Sequence, residues 1–257
     1  MIRLQKALAS LGLGSRREIE QWIRDGRVQI NGSVAELGQR ISPVDRVSVD
    51  GQDVSLAAVE EQAAGSAARA VLGYHKPLGE VTTRRDPAGR PTVFDHLPSA
   101  PAGRWIVVGR LDVNTSGLLL FTNDGELAHR LMHPSSEVER EYRVRVRGRP
   151  SAEVLQRLQS GVMLEDGWAR FDRVIAEHQS DGSAWFRVVL HEGRNREVRR
   201  LWLAVGHEVS RLVRMRYGPI ELPADLRPGE ARLLPADWVQ RLSETCGAAA
   251  PRHPAPT

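Results

Sequence analysis

The sequence predicts an α+β fold with a largely antiparallel, mixed central sheet. Three observations lead there. Across residues 70–240, six strand candidates outnumber three helix candidates. The two kinds do not alternate regularly, which argues against a parallel βαβ array. Residues 142–147, YRVRVR, alternate apolar and basic side chains, the pattern of a strand with one buried face.

A small unit comes first. LQKALASLG reads as a short amphipathic helix ending at Gly12. Ser15 caps the next helix, and Glu18 completes a capping box three residues on. Ile19, Trp22 and Ile23 give that helix one apolar face, and Gly26 stops it. RVQINGSVA then predicts two strands about an Asn31-Gly32 turn, and DRVSVDGQDV repeats the pattern about Asp50-Gly51. In the larger region we place strands at 70–74, 105–108, 118–122, 142–146, 184–190 and 209–215. Helices are predicted at 126–132, 152–159 and 196–205, the last beginning at Asn195 as N-cap. The domains therefore run 1–60 and 70–243. An aromatic-free linker at 61–69 joins them, and a Pro/Ala-rich tail at 244–257 is expected to be disordered.

Composition narrows the class. The chain has 257 residues, 41% apolar and 26% charged, ordinary for a soluble globular protein. No run approaches the roughly 18 apolar residues of a membrane span. MIRLQKALASLG lacks the basic-then-apolar layout of a secretory signal. The single cysteine, Cys246, can form no internal disulfide and cannot hold zinc alone, so a reducing cytoplasm is expected. Net charge is +4, and all basic residues except Lys6 and Lys76 are arginines. Codon bias in a GC-rich genome produces such a bias; so does selection for phosphate and base stacking, which suit arginine better than lysine. A polyanionic partner is the first expectation.

Three stretches carry chemistry. GRLDVNTSGLLLFTNDGEL, residues 109–127, sets Asp112 in a loop between two apolar strands. The plain reading is an Asx-turn. Against it, the loop is rooted at both ends in strands, and Asn114, Thr115 and Ser116 add hydrogen-bonding groups without competing charge. EVEREYRVRVRGR, residues 137–149, puts Tyr142 at the end of an inward row, where it either joins the core or lines a cleft. Its arginines either form a solvated face or meet a polyanion. LHEGRNREVRRLWLAVGHEVSRLVRMRYG, residues 190–218, is arginine-rich. Val198, Leu201, Trp202 and Val205 form its helix's buried stripe, Arg196 and Arg200 point away, and Arg199 lies on the flank. A half-buried Arg199 wants a carboxylate, and Asp112 is a candidate. His129 and His133 have metal-ligand spacing but no third ligand, so no metal is expected. No GxxxxGK[ST], GxGxxG or GxSxG motif is present, so neither nucleotide hydrolysis nor a nucleotide cofactor is expected.

Together these stretches resemble the pseudouridine synthases of the RsuA/RluB type. GRLDVNTSGLLLFTNDGEL is similar to that family's aspartate motif. YHKPLGEVTTRRDPAGRPTVFDHLP, RLMHPSSEVEREYRVRV and EGRNREVRRLWLAVGHEVSRL–RMRYG are similar to its other blocks, in the same order. Residues 1–55 resemble an S4 RNA-binding module. DPAGRPTVFDHLP and EGRNREVRRLWLAVG are closest to the large-subunit (23S) branch.

The resemblance implies a pseudouridine synthase fold and isomerisation of a uridine in 23S rRNA without cofactor, metal or energy source. It implies Asp112 as the catalytic carboxylate, acting as nucleophile or as base toward the C2′ proton. Arg199 would pair with it, Tyr142 would stack on uracil, and Arg110 would fill the gap left by the flipped base. Arg194, Asn195 and Arg196 beside the site, and Lys6, Arg16 and Arg17 in the small unit, are the expected RNA contacts. Residues 1–55 hold eight basic and seven acidic residues, so that patch is local. We expect a cytoplasmic monomer acting in ribosome biogenesis, on rRNA or a large-subunit assembly intermediate. The alternatives are a 16S or other RNA target within the family, a non-catalytic assembly protein, and a metal-dependent nuclease; the last needs clustered carboxylates.

Overall fold

The turn and cap signals of the first fifty residues fold as their chemistry dictates in the computed structural model, which describes residues 1–42, 44–56, 69–180 and 182–245. The elements there are β1 (Ile2–Arg3), α1 (Leu4–Ser10), α2 (Arg16–Arg24), β2 (Val28–Ile30), β3 (Ser33–Val34), β4 (Arg40–Ile41), β5 (Val47–Val49) and β6 (Gln52–Val54). Ser15 Oγ accepts the Glu18 N–H at 3.2 Å, and Ser15 N–H donates to Glu18 Oε2 at 2.6 Å. This box satisfies two N–H groups that the start of α2 would otherwise leave free. Asn31 and Gly32 have φ of 51° and 82°, and Asp50 and Gly51 have 51° and 78°, the positive pairs that tight hairpins require. Leu4, Leu8, Ile19, Ile23, Val28 and Val47 close the core of this part.

The chain divides into two compact units. Met1–Ala70 with Ser99–Ile106 and Asn123–Gly125 form one; Val71–Pro98, Val107–Thr122 and residues from Glu126 onward form the other. The second unit is built on β7 (Val71–Lys76), β8 (Ile106–Val108), β9 (Ser116–Thr122), α3 (Gly125–Met132), β10 (Arg140–Arg147), α4 (Ala152–Ser160), β11 (Val162–Leu164), β12 (Gly167–Ala169), β13 (Arg173–Ser180), β14 (Ser183–Leu190), α5 (Glu197–Ala204), β15 (Val209–Tyr217), β16 (Ile220–Glu221), β17 (Ala231–Leu233) and α6 (Ala236–Thr245). Its main sheet runs β13-β14-β10-β15-β9-β7-β17. The β15–β9 pair is parallel and its other neighbours are antiparallel, so the sheet is mixed and the fold α+β. Every residue of β9 is buried, which explains its unbroken apolar run. In β10, Tyr142, Val144 and Val146 are buried while Arg143, Arg145 and Arg147 are exposed.

All six predicted strands and three predicted helices of this region are present, with no end shifted by more than two residues. β11, β12, β13, β16, β17 and α6 were not predicted. β13 (RVIAEHQS) and β17 (ARL) end the sheet path and carry the short or polar sequences of edges. α6 runs to Thr245, so the tail expected from 244 starts inside a helix. The linker residues 57–68, the rest of the tail and Cys246 lie outside the described residues. The expected N-cap Asn195 is also corrected. α5 starts at Glu197, its N-cap is Arg196 at φ 50°, and no side chain caps it.

Candidate active site

β8 delivers the chain into the 109–115 loop and β9 takes it away through the sheet's buried centre. Between them, five consecutive carbonyls are each held by a donor. Leu111 O accepts from Thr82 Oγ1 at 2.7 Å, Asp112 O from Thr115 N at 3.0 Å, and Val113 O from Gly79 N at 2.8 Å. Asn114 O accepts from Arg199 Nη2 at 2.7 Å and Thr115 O from Lys76 Nζ at 2.9 Å. A loop with five successive carbonyls held has little freedom left, and this places the Asp112 side chain in advance of any ligand.

The Asp112 carboxylate accepts no hydrogen bond from the described residues, so the Asx-turn reading fails. Its side chain is one-third exposed, and it opens on a cavity of about 670 Å³. Arg110, Tyr142, Arg196, Glu197 and Arg214 line the same cavity. Tyr142 is 9% exposed and its hydroxyl has no partner among the described residues. The cavity therefore offers a carboxylate, a phenol and several cations around an apolar floor that includes Leu190 and Leu212.

The pairing of Arg199 with the carboxyl is corrected. No Arg199 nitrogen comes within ion-pair distance of it. Arg199 instead bridges Asn114 O, two residues on, and Val209 O at 2.9 Å. It ties the loop to the start of β15. Burial pushes its pKa below the ordinary value and the Arg196 charge adds to this, while the Asp112 charge opposes it. The cation nearest the carboxylate is Arg196, Nη1 to Oδ2 3.9 Å, from a backbone at φ 50°.

The expected RNA contacts separate. Arg110, Asn195 and Arg196 are exposed at the cavity. Arg194 is engaged by the protein, with Nε on Glu192 and Nη2 donating to Trp168 O at 2.7 Å, so it is not a free contact. Arg200 pairs twice with Asp166, at 2.8 Å and 2.8 Å. Arg143 meets Glu177 at 2.6 Å and Arg147 meets Glu208 at 2.8 Å, so the outer face of β10 reads as a solvated ion-pair surface. In the other unit, Arg16 and Arg17 open α2 and are exposed, and Lys6 is partly buried on α1. No group of three or more His, Cys, Asp or Glu among the described residues is arranged to hold a metal. No helix among them is long and apolar enough to cross a membrane.

Four buried charged groups, Lys76, Glu80, Glu197 and Arg214, escaped the sequence reading. Lys76 is fully buried; burial pushes its pKa down to about 8, against the pull of Glu80 and Asp112. Its signal was its rarity, one of two lysines in an arginine-rich chain, at the end of an apolar strand. Arg214 shares the inward parity of Leu212, a charge on the wrong row. Glu197 is 4% exposed and accepts the Arg194 N–H at 3.1 Å, closing the turn that carries Arg196. Burial pushes Glu197 up to about 7, and the Glu192 charge adds to it.

A raised carboxyl pKa favours the protonated fold. No penalty exists below the unfolded value near 4.5; it grows as pH rises and is complete above about 7. Glu197→Gln is therefore expected to stabilise the protein at pH 8 by about 3 kcal/mol, while changing little at pH 4.5. Urea unfolding of both proteins at the two pH values checks this, and equal shifts at both would contradict it.

The RNA pseudouridylate synthase profile matches residues 70–204 and the S4 domain profile residues 2–52. The chain is 54% identical to "Ribosomal large subunit pseudouridine synthase B" of Pseudomonas aeruginosa, over 95% of this chain and 62% of that one. For the protein of the same name from Xylella fastidiosa, strain Temecula1, the figures are 52%, 93% and 50%. For that from Escherichia coli O6:H1 they are 53%, 94% and 83%. The chain thus spans less than two thirds of the length of the first two. A solved structure described as a pseudouridylate synthase superposes with a TM-score of 0.63 at 26% identity, covering 94% of this chain and 100% of that one. The matched profile, these identities and the shared fold establish that the chain belongs to the RNA pseudouridylate synthase family.

Proposed function

We propose that this protein isomerises a uridine of large-subunit rRNA to pseudouridine, with Asp112 as the reacting carboxylate. One observation carries the reading. Asp112 carries a carboxylate without a hydrogen bond on a loop whose carbonyls from Leu111 to Thr115 are all held, facing a cavity that it shares with the free phenol of Tyr142. Relatives above 50% identity named for this activity on the large subunit support the substrate class.

The chemistry follows from the groups. The N1–C1′ bond breaks with its electron pair going to the base. Asp112 either attacks C1′, to be displaced again when C5 bonds there, or takes the C2′ proton and returns it to C2′ as the new bond forms. The base turns, C5 bonds to C1′, the C5 proton leaves, and N1 gains one. Atoms balance within the nucleotide, and the reaction consumes no co-reactant. Tyr142 stacks on the ring, its hydroxyl facing the departing C5 proton. Arg196, 3.9 Å from Asp112, is the cation that faces the carboxylate. Arg199 acts on the loop's backbone as a positioning residue. Arg110 occupies the space the target base vacates. Extruding that base costs a few kcal/mol, which RNA contacts must offset. Residues 1–60 supply part of them through Lys6, Arg16 and Arg17, with 70–243 as the catalytic domain. The protein works as a monomer in the cytoplasm, on rRNA or an assembly intermediate.

The test is tritium release from rRNA labelled at C5 of uridine. Release from 23S and not 16S rRNA is the expected result. Release from 16S alone would move the substrate, and none from either would remove the activity.

A further inference from the structure

Arg214 is the most buried of the arginines that line the cavity, 2% exposed. It lies on β15 directly across from Tyr142 on β10. Its Nε donates to Leu118 O at 2.7 Å, and its guanidinium stands 5.1 Å from the Tyr217 ring centre. Nη2 is buried and has no hydrogen-bond partner. No carboxylate lies within 4.0 Å among the described residues. A buried guanidinium with neither counter-ion nor a full set of acceptors is costly to a fold. The arrangement is stable in use if the missing acceptor arrives with the ligand. Exposed Arg110 and Arg196 are available to phosphates at the rim; an arginine this deep, beside the ring of Tyr142, is placed for the base.

We propose that Arg214 donates a hydrogen bond from its guanidinium to a carbonyl oxygen of the uracil and stabilises the anion formed when the base leaves. This rests on the uridine-isomerising reading above. When N1–C1′ breaks, the electron pair remains on the ring, shared between N1 and the O2 and O4 oxygens. Negative charge at those oxygens is larger in the transition state than in the bound uridine. A charged donor fixed there speeds bond breaking more than it tightens binding. When C5 then bonds to C1′, the pair is used in the new bond, and the ring regains neutrality as its proton moves from C5 to N1.

The experiment measures single-turnover tritium release at saturating RNA for the wild type, Arg214→Ala and Asp112→Asn, with RNA affinity and melting temperature beside it. Arg214→Ala is expected to slow release by about 100-fold or more, with RNA affinity changed by less than about threefold. Millimolar guanidinium should restore at least about tenfold of that rate in Arg214→Ala and nothing in Asp112→Asn, while neutral urea restores nothing; a merely structural role would not respond to the cation. A folded Arg214→Ala within about threefold of wild type overturns the assignment, and so does a loss of RNA affinity at an unchanged rate, which marks a phosphate contact. If the alanine variant does not fold, Arg214→Lys decides, since it keeps the charge and loses the second N–H. A tenfold or larger loss supports the assignment and a rate near wild type overturns it. Silence of the wild type itself would instead remove the isomerase reading.

Discussion

Gly117→Ala is expected to unfold or severely weaken the protein, by at least about 3 kcal/mol. Gly117 sits where β9 runs parallel to β15, paired with Arg214. A Cβ there would stand 2.3 Å from Arg214 O and 2.5 Å from Arg214 N, both backbone atoms in the middle of the sheet. Neither can retreat without separating the two strands. The residue also holds φ +109°, which an L side chain rarely adopts. The two penalties can be told apart. Gly89 has φ +68° and open space around it, so Gly89→Ala carries backbone strain alone, about 1 kcal/mol. Thermal unfolding should show Gly117→Ala melting roughly 10 °C below wild type or not folding, against a few degrees for Gly89→Ala. Equal shifts would mean that the strands can part. The consequence reaches the site, because the same approach sets Arg214 and Leu118 within hydrogen-bonding distance.

Sequence order alone made much of this legible. The capping box of Ser15 and Glu18 and the two Asn/Asp-Gly turns are local devices, complete within four residues, and they folded as read. The YRVRVR alternation fixed which face of β10 is inward, because a strand's period is two. What was not legible depended on partners distant in the chain. Arg199 was expected to seek the Asp112 carboxyl, yet its two Nη groups found the carbonyls of Asn114 and Val209. Periodicity places a side chain on a flank; it does not say which acceptor waits there. Helix α5 starts late because the Glu197 carboxylate accepts the Arg194 N–H three residues back, the acidic half of a capping box with no hydroxyl at its other end to announce it. The edge strand β13 was missed because nearly all of residues 173–179 are exposed, which leaves its sequence polar. The aspartate was found for the opposite reason. A carboxylate in a polar loop between two apolar strands is unusual in the sequence itself.

Asp112→Asn is expected to lower isomerisation at least about 1,000-fold, since an amide is neither a nucleophile nor a base of use here. The substitution is nearly isosteric, and the loop does not depend on the side chain: all five carbonyls from Leu111 to Thr115 are bonded by other groups. The variant should therefore fold as wild type does. RNA binding should hold or tighten slightly, because a negative charge leaves a cavity ringed by arginines. The decisive measurement is single-turnover tritium release at saturating rRNA, wild type beside Asp112→Asn at equal folded concentration. Release by the wild type with almost none from the variant is the predicted result. Release from the variant within about tenfold of wild type would mean that another group does the chemistry, and would contradict the role given to this carboxylate.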